Sequence, residues 1–403
     1  MSRTEERPLA PPMPQPSFAT VNGIRMAYYE AGPRQGVPIV LCHGFPEFSY
    51  SWRHQVAALA AAGRWVIAPD QRGYGLTDRP EPVAAYDMDN LTGDLVGLLD
   101  HLGVEKAVFV GHDWGGIIVW AMPLLHPDRC AGIMGLNTPF TPRLPIDPIE
   151  MYRRAYGDEM YIVHFQKPGV ADALLGADPG KTIRFFMRAP GDSVEAFEAR
   201  PAERKSLALQ EGLARYNPAS DPLQFLRPEE LAVFTETFER TGFTGGINWY
   251  RNFTRNWQRA EHLSRRIDAI PCLMIMAEHD VVLPPSLCDR MGEQIEDLEK
   301  VLIKGSGHWT QQEKPAEVNA AMLDWLDRRF PARRVRAGRW PAPRRADALP
   351  PQAAAGPGPR SRRAGPRASN RPGPGRTTPR RDQRRHRRRS RRSCGPVPPA
   401  GAG

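Results

Sequence analysis

Six short apolar runs recur along the first 330 residues, and what stands between them decides the architecture. They fall at residues 38–42, 65–68, 107–110, 132–136, 272–276 and 300–303. Each has the length of a strand, and helix-like segments at 52–62, 89–102 and 315–330 separate or follow them. In the last of these, Val318, Ala321, Met322, Trp325 and Leu326 share one helical face. Strands that alternate with helices pair side by side through crossovers, so an α/β chain is expected, with a mostly parallel central sheet and helices on both faces. In front of it, ATVNGIRMAYYEAG forms two β-prone runs around Asn22-Gly23, a hairpin signal. Between Leu136 and Cys272 the alternation lapses into a mostly helical stretch rich in aromatics, Arg and Pro, which reads as an inserted cap. The expected division is a first core part over 17–139, a helical cap over 140–264 and a second core part over 265–330.

The two ends are different in kind. Residues 1–16 are Pro-rich and expected to be disordered. Residues 331–403 hold 21 Arg, no Lys and 2 Asp, a net charge of +19. Removing them from the whole-chain totals of 55 basic and 45 acidic residues leaves 34 and 43 in residues 1–330, a net of −9. The folding part is therefore acidic, and the tail alone is basic. With almost no large apolar side chains, the tail buries too little surface to offset its chain entropy, so disorder is expected. Its run RRDQRRHRRRSRR would suit a nucleic-acid arm. No aromatic residues interleave the arginines, however, and a GC-rich coding region read out of frame gives the same mixture, so a tail without a function is the favoured reading.

Cys42, Cys130, Cys272, Cys288 and Cys394 lack metal or redox spacing and fit a reducing cytosol. The start, MSRTEERPLAPPMPQPS, has early acidic residues and no apolar core, unlike a secretory signal. No apolar run approaches the roughly 20 residues that cross a bilayer. A cytoplasmic protein without stable membrane insertion is expected. Oligomeric state, a homodimer included, is left open.

The chemistry starts at VFVGHDWGGIIVW, residues 108–120. Strand formers break at Gly111-His112-Asp113-Trp114-Gly115 and resume as an apolar run of helical length, the layout of a sharp strand-to-helix turn that projects one side chain. The projected residue is Asp113. A carboxylate there attacks carbon rather than a carbonyl, and suits a strained epoxide or a carbon–halogen bond. The alkyl ester that results must then be hydrolysed, which requires a base for water and donors for an oxyanion. Of the ten histidines, only His308, in the Gly-rich loop KGSGHWTQQEKP after the last strand, has a suitable address. His112 should point away and be structural, His126 reads as a helix-end residue near a carbonyl, and His164 could only flank the pocket. His279 should alternate away from its neighbour, His43 belongs to the loop after the first buried strand, and His54, His101, His262 and His386 have no motif. Asp280, ending CLMIMAEHD, supplies the acid in the order nucleophile, acid, histidine. In LCHGFPEFSYSWR, residues 41–53, the backbone N–H of Phe45 is expected to join that of Trp114 as an oxyanion donor.

Taken together, HGFPEFSYSWR, DQRGYGLTDRP, GHDWGG, LNTPF, HFQKPGVADA, NWYRNFTRNW, AEHDVVL and GHWTQQEKP resemble, in order over about residues 18–330, the soluble epoxide hydrolases of the α/β-hydrolase superfamily. The resemblance implies that fold and a two-step conversion of an epoxide to a vicinal diol without metal or cofactor. It also implies two cap tyrosines that protonate the epoxide oxygen, and these fall on Tyr161 and Tyr250. Phe45, Trp114, Phe140, Phe165 and Trp309 are the expected lining of an apolar pocket for a lipophilic epoxide. A haloalkane dehalogenase shares the aspartate turn but has no use for the two tyrosines. A non-catalytic protein of the same fold, binding nucleic acid through its tail, is opposed by the complete set Asp113, Asp280 and His308. Pro123 departs from the pattern: inside the apolar run after the turn it costs about 3 kcal/mol or forces a kink. The phosphatase domain of mammalian soluble epoxide hydrolases has no counterpart, so no phosphatase activity is expected.

Overall fold

A computed structural model describes residues 12–200 and 207–331. Eight strands form one sheet: β1 (Pro16–Val21), β2 (Ile24–Ala31), β3 (Ile39–Cys42), β4 (Val66–Pro69), β5 (Ala107–His112), β6 (Cys130–Leu136), β7 (Cys272–Ala277) and β8 (Leu298–Ile303). Their spatial order is β1-β2-β4-β3-β5-β6-β7-β8. The first two strands form the hairpin, with Asn22 at φ 44° and Gly23 at φ 77° in its turn. The second also pairs antiparallel with β4, and every pairing from β4 through β3 to β8 is parallel.

Side chains alternate across these strands, and both faces are covered. From β3, Val40 and Cys42 enter one apolar cluster with Phe109 and Ile133, under α2 (Met88–Leu102) and α3 (Trp114–Leu125). Ile39 and Leu41 enter the other, with Val108, Val110 and Trp325, under α1 (Arg53–Ala61) and the helix Pro315–Arg329. Each such fully buried aliphatic side chain contributes roughly 1.5–3 kcal/mol. Helix α2 begins where the Asp87 carboxylate accepts from the Asn90 N–H and ends at Gly103, φ 67°. Pro123 stands in the last turn of α3 and removes one N–H donor from it, and only Leu124 and Leu125 follow in the helix.

Between β6 and β7 the chain leaves the sheet for a succession of helices, from Pro148–Tyr156 to Phe253–Arg259. Their inward side chains, Phe165, Trp249 and Tyr250 among them, belong to the same apolar cluster as the sheet face beneath. Among the described residues, no helix is long and apolar enough to cross a membrane. The disorder expected at the two ends falls almost wholly outside the described residues, with His386 and Cys394. The structure corrects that expectation at Pro16, which opens β1 because it pairs with Tyr29.

Candidate active site

The turn after β5 is built on close approach. A side chain on Gly111 would meet the Gly115 carbonyl at 2.1 Å, and one on Gly115 would meet the Cys42 carbonyl at 2.0 Å. Neither position tolerates a β-carbon, so strand, helix and the neighbouring loop are drawn together around Asp113. That residue takes φ 52°, ψ −121°, a conformation unusual for a non-glycine residue, and Thr138 Oγ1 donates to its carbonyl at 2.8 Å. Its carboxylate is consequently held out over the C-terminal ends of the strands. There the Phe45 N–H donates to Oδ1 at 2.7 Å. Trp114, the first residue of α3, has one of the amides that a helix leaves without an internal partner.

Asp280 follows β7 and is buried beneath His308. Its Oδ1 accepts from the Val282 and Leu283 N–H groups at 2.9 and 3.0 Å, and its Oδ2 from Asn137 Nδ2 at 2.7 Å. The same Oδ2 lies 2.8 Å from His308 Nδ1, and His308 Nε2 lies 3.6 Å from Asp113 Oδ2. With Nδ1 directed at a carboxylate, the ring presents Nε2 to the cavity. Burial alone would raise Asp280, yet His308 and these donors hold it at about 2. Burial likewise opposes ionisation of Asp113, and the His308 ring, His112 and the Phe45 amide outweigh it, so its pKa lies below the ordinary carboxylate value. For His308 burial lowers the pKa, but two carboxylates win and hold it well above the ordinary imidazole value. Both carboxylates thus favour the protonated form of the His308 ring.

Tyr161 opens the short helix Tyr161–His164, and Tyr250 lies near the end of Thr244–Arg251. The side-chain amide of Gln166 ties the two segments together, donating to Ile162 O at 2.9 Å and Tyr250 O at 3.0 Å. The tyrosine rings are 5.8 Å apart, edge to face. Burial and then the Asp113 charge push both hydroxyls well above their ordinary pKa, so both are protonated donors at neutral pH.

A cavity of about 510 Å³ brings Asp113, His308, Tyr161 and Tyr250 together, and Phe45 and Trp309 line it. Trp114 and Phe165, expected in the lining, are not part of it; they are buried with ring centroids 5.0 and 5.1 Å from that of Tyr250. Phe140 is a correction. Its ring packs 6.1 Å from that of Trp120 and lines a separate depression with Leu287 and Met291, because the chain after β6 turns away from the cavity. The outer wall comes instead from Phe185, Phe186, Val281 and Val282, none of them singled out in the sequence.

His126 ends α3, as expected. His126 Nε2 reaches the Thr92 hydroxyl at 3.1 Å rather than a carbonyl, and His164 is buried outside the cavity lining. His112 is structural in a specific sense: its Nε2 bonds the His308 carbonyl at 2.7 Å, and its Nδ1 lies 2.5 Å from Glu47 Oε1. Glu47 carried no signal of its own, since its partner is 65 residues away. His43 is a neutral loop tie. Burial lowers it to about 4, and its ring nitrogens meet Gly44 O and the Gln71 N–H.

Known proteins are similar to this chain in sequence and fold. Residues 37–315 match the family described as alpha/beta hydrolase fold. The chain is 46% identical over 319 residues to Epoxide hydrolase A of Mycobacterium tuberculosis, covering 78% of this chain and 97% of that one. It is 40% identical over 306 residues to Bifunctional epoxide hydrolase 2 of Sus scrofa, covering 76% of this chain but 54% of that longer protein. The crystal structure of Epoxide Hydrolase A from Mycobacterium thermoresistibile superposes with a TM-score of 0.71 at 44% identity, over 79% of this chain and 100% of that one. With a parallel sheet covered on both faces and an aspartate projected from its strand-to-helix turn, the chain belongs to the epoxide hydrolases of the α/β-hydrolase superfamily.

Proposed function

We propose that this chain converts lipophilic epoxides to vicinal diols through an alkyl ester on Asp113. The observation that carries the reading is a single cavity that brings the Asp113 carboxylate, His308 and the two tyrosines Tyr161 and Tyr250 together. Asp113 attacks an epoxide carbon, the carbon–oxygen bond breaks, and the departing oxygen takes a proton from Tyr161 or Tyr250. Esterification removes one of the two anions that keep His308 protonated. Its pKa falls, and its proton restores the tyrosine, leaving a neutral base. His308, oriented by Asp280, then takes a proton from water, and the hydroxide attacks the Asp113 carbonyl. The amides of Phe45 and Trp114 receive the oxyanion. Collapse breaks the bond between the carbonyl carbon and the diol oxygen, that oxygen takes the proton which the attacking hydroxide carried, and Asp113 returns as carboxylate beside imidazolium. No step requires a metal or a cofactor.

Residues 140–264 serve as the cap that delivers Tyr161 and Tyr250 over the sheet, and the aromatic walls favour aryl or fatty epoxides. The reaction belongs in the cytoplasm, a placement supported by Cys42, Cys130, Cys272 and Cys288 being buried free thiols. The test is diol formation from styrene oxide, stilbene oxides and an epoxy fatty acid, with Asp113→Ala as control and halide release from a bromoalkane followed in parallel. Diol that disappears in the control is the expected result. Halide without diol would instead make the chain a dehalogenase.

A further inference from the structure

His308 is a loop residue, and a loop must be held if its base is to meet a water and an ester within a few tenths of an ångström. Ties on carbonyl groups are part of the answer. His112 Nε2 bonds the His308 carbonyl at 2.7 Å, and Thr310 Oγ1 donates to the Gly307 carbonyl at 2.8 Å. The amides on either side of His308 have a different partner. Glu313, the last residue of the short helix Thr310–Glu313, accepts from the Gly307 N–H through Oε2 at 2.9 Å. Through Oε1 it accepts from the Trp309 N–H, also at 2.9 Å.

We propose that Glu313 is a positioning residue for ester hydrolysis, chelating the two amides that flank His308 and so fixing where its imidazole stands over the Asp113 ester. The proposal rests on the reading of His308 as the base. Two converging N–H donors need two acceptor oxygens on one planar group, which only a carboxylate supplies at this reach. Glutamine keeps one acceptor and sets its NH₂ against the second amide. Aspartate, one methylene shorter, does not span both. Glu313 is absent from the cavity lining, so it acts through His308 and not on the substrate. The charged groups facing it are His308 and Asp280, and burial lifts its carboxyl to about 7 against the pull of the two amides and His308. The assay is therefore run above neutral pH, where both oxygens accept.

The experiment uses the full chain with Glu313→Gln, with His308→Gln in parallel. Rapid-quench intact mass measures formation and decay of the ester from styrene oxide. Alkylation in Glu313→Gln should stay within about twofold of the parent while ester decay slows roughly 10- to 100-fold, the scale of a misplaced catalytic group. The ester then accumulates, and KM falls together with kcat. Unchanged decay in Glu313→Gln while His308→Gln accumulates ester would overturn the proposal and leave the base assignment standing. Equal slowing of both steps, with a lowered melting temperature, would make Glu313 merely structural and also overturn it. Failure of His308→Gln to accumulate ester would remove the base assignment on which the proposal rests.

Discussion

Replacing His308 by Gln should stop the cycle halfway. In the fold, the ring is anchored by Asp280 at 2.8 Å and its other nitrogen lies 3.6 Å from Asp113 Oδ2, beyond direct hydrogen-bond range but within reach of an ion pair. Glutamine can still donate to Asp280, so the buried carboxylate keeps a partner. What is lost is basicity, and general-base assistance is typically worth 10²- to 10⁴-fold, or about 3–5 kcal/mol of barrier. Alkylation loses less. The imidazolium that helps ionise Asp113 is gone, but the Phe45 amide at 2.7 Å remains on its carboxylate, and both tyrosines are untouched. Hydrolysis therefore becomes much slower than alkylation, and the ester accumulates. Intact-mass spectrometry under excess substrate should show a gain of one substrate mass, and proteolysis should place it on the peptide containing Asp113. Continued epoxide consumption with no adduct at any time would refute the two-step reasoning.

Three further outcomes follow from the same geometry. Tyr161→Phe combined with Tyr250→Phe should lose alkylation by roughly 10²- to 10⁴-fold, since the opening epoxide then lacks its proton donors. Undiminished turnover, measured as diol, would take the tyrosines out of the mechanism. Gly44→Ala should abolish alkylation, because its methyl would meet Asp113 Oδ1 at 2.4 Å; wild-type ester formation in single-turnover runs would show that the loop yields. Asp280, held at about 2 in the fold against about 3.9 unfolded, contributes stability that is present above the unfolded value and lost as pH falls through the folded one. Denaturant titrations from about pH 5 to about pH 2 should lose roughly 2 kcal/mol from this group, and Asp280→Asn should lose correspondingly less. An identical acid slope in the variant would contradict the assignment.

The parts of this site that could be read from the chain are those fixed by backbone constraint. Gly111 and Gly115 leave one turn geometry at Asp113, and β5 and β7 deliver Asp113 and Asp280 to the same edge because parallel strands share their C-terminal ends. His308 follows because β8 runs parallel to β7 and its loop leaves from the same edge. The unread parts depend on where a side chain goes after its backbone has turned. Phe140 lies four residues past the end of β6 and packs on Trp120, a direction set by the loop and not by hydrophobicity. Phe185 and Phe186 sit on an amphipathic helix whose apolar face serves packing and cavity alike, so only its crossing over the sheet separates the two. Glu47 matters through the side chains of His112 and Gln311, His112 through the His308 carbonyl and Glu313 through two amides of its own loop, contacts that no spacing rule announces.

The most direct test follows the oxygen of water through one turnover. With enzyme in excess over epoxide in ¹⁸O-labelled water, hydroxide attack on the ester carbonyl predicts label in the Asp113 carboxylate and unlabelled diol. Labelled diol from the first turnover, with no label in the Asp113 peptide, would mean that water attacks the epoxide itself and would contradict the covalent route.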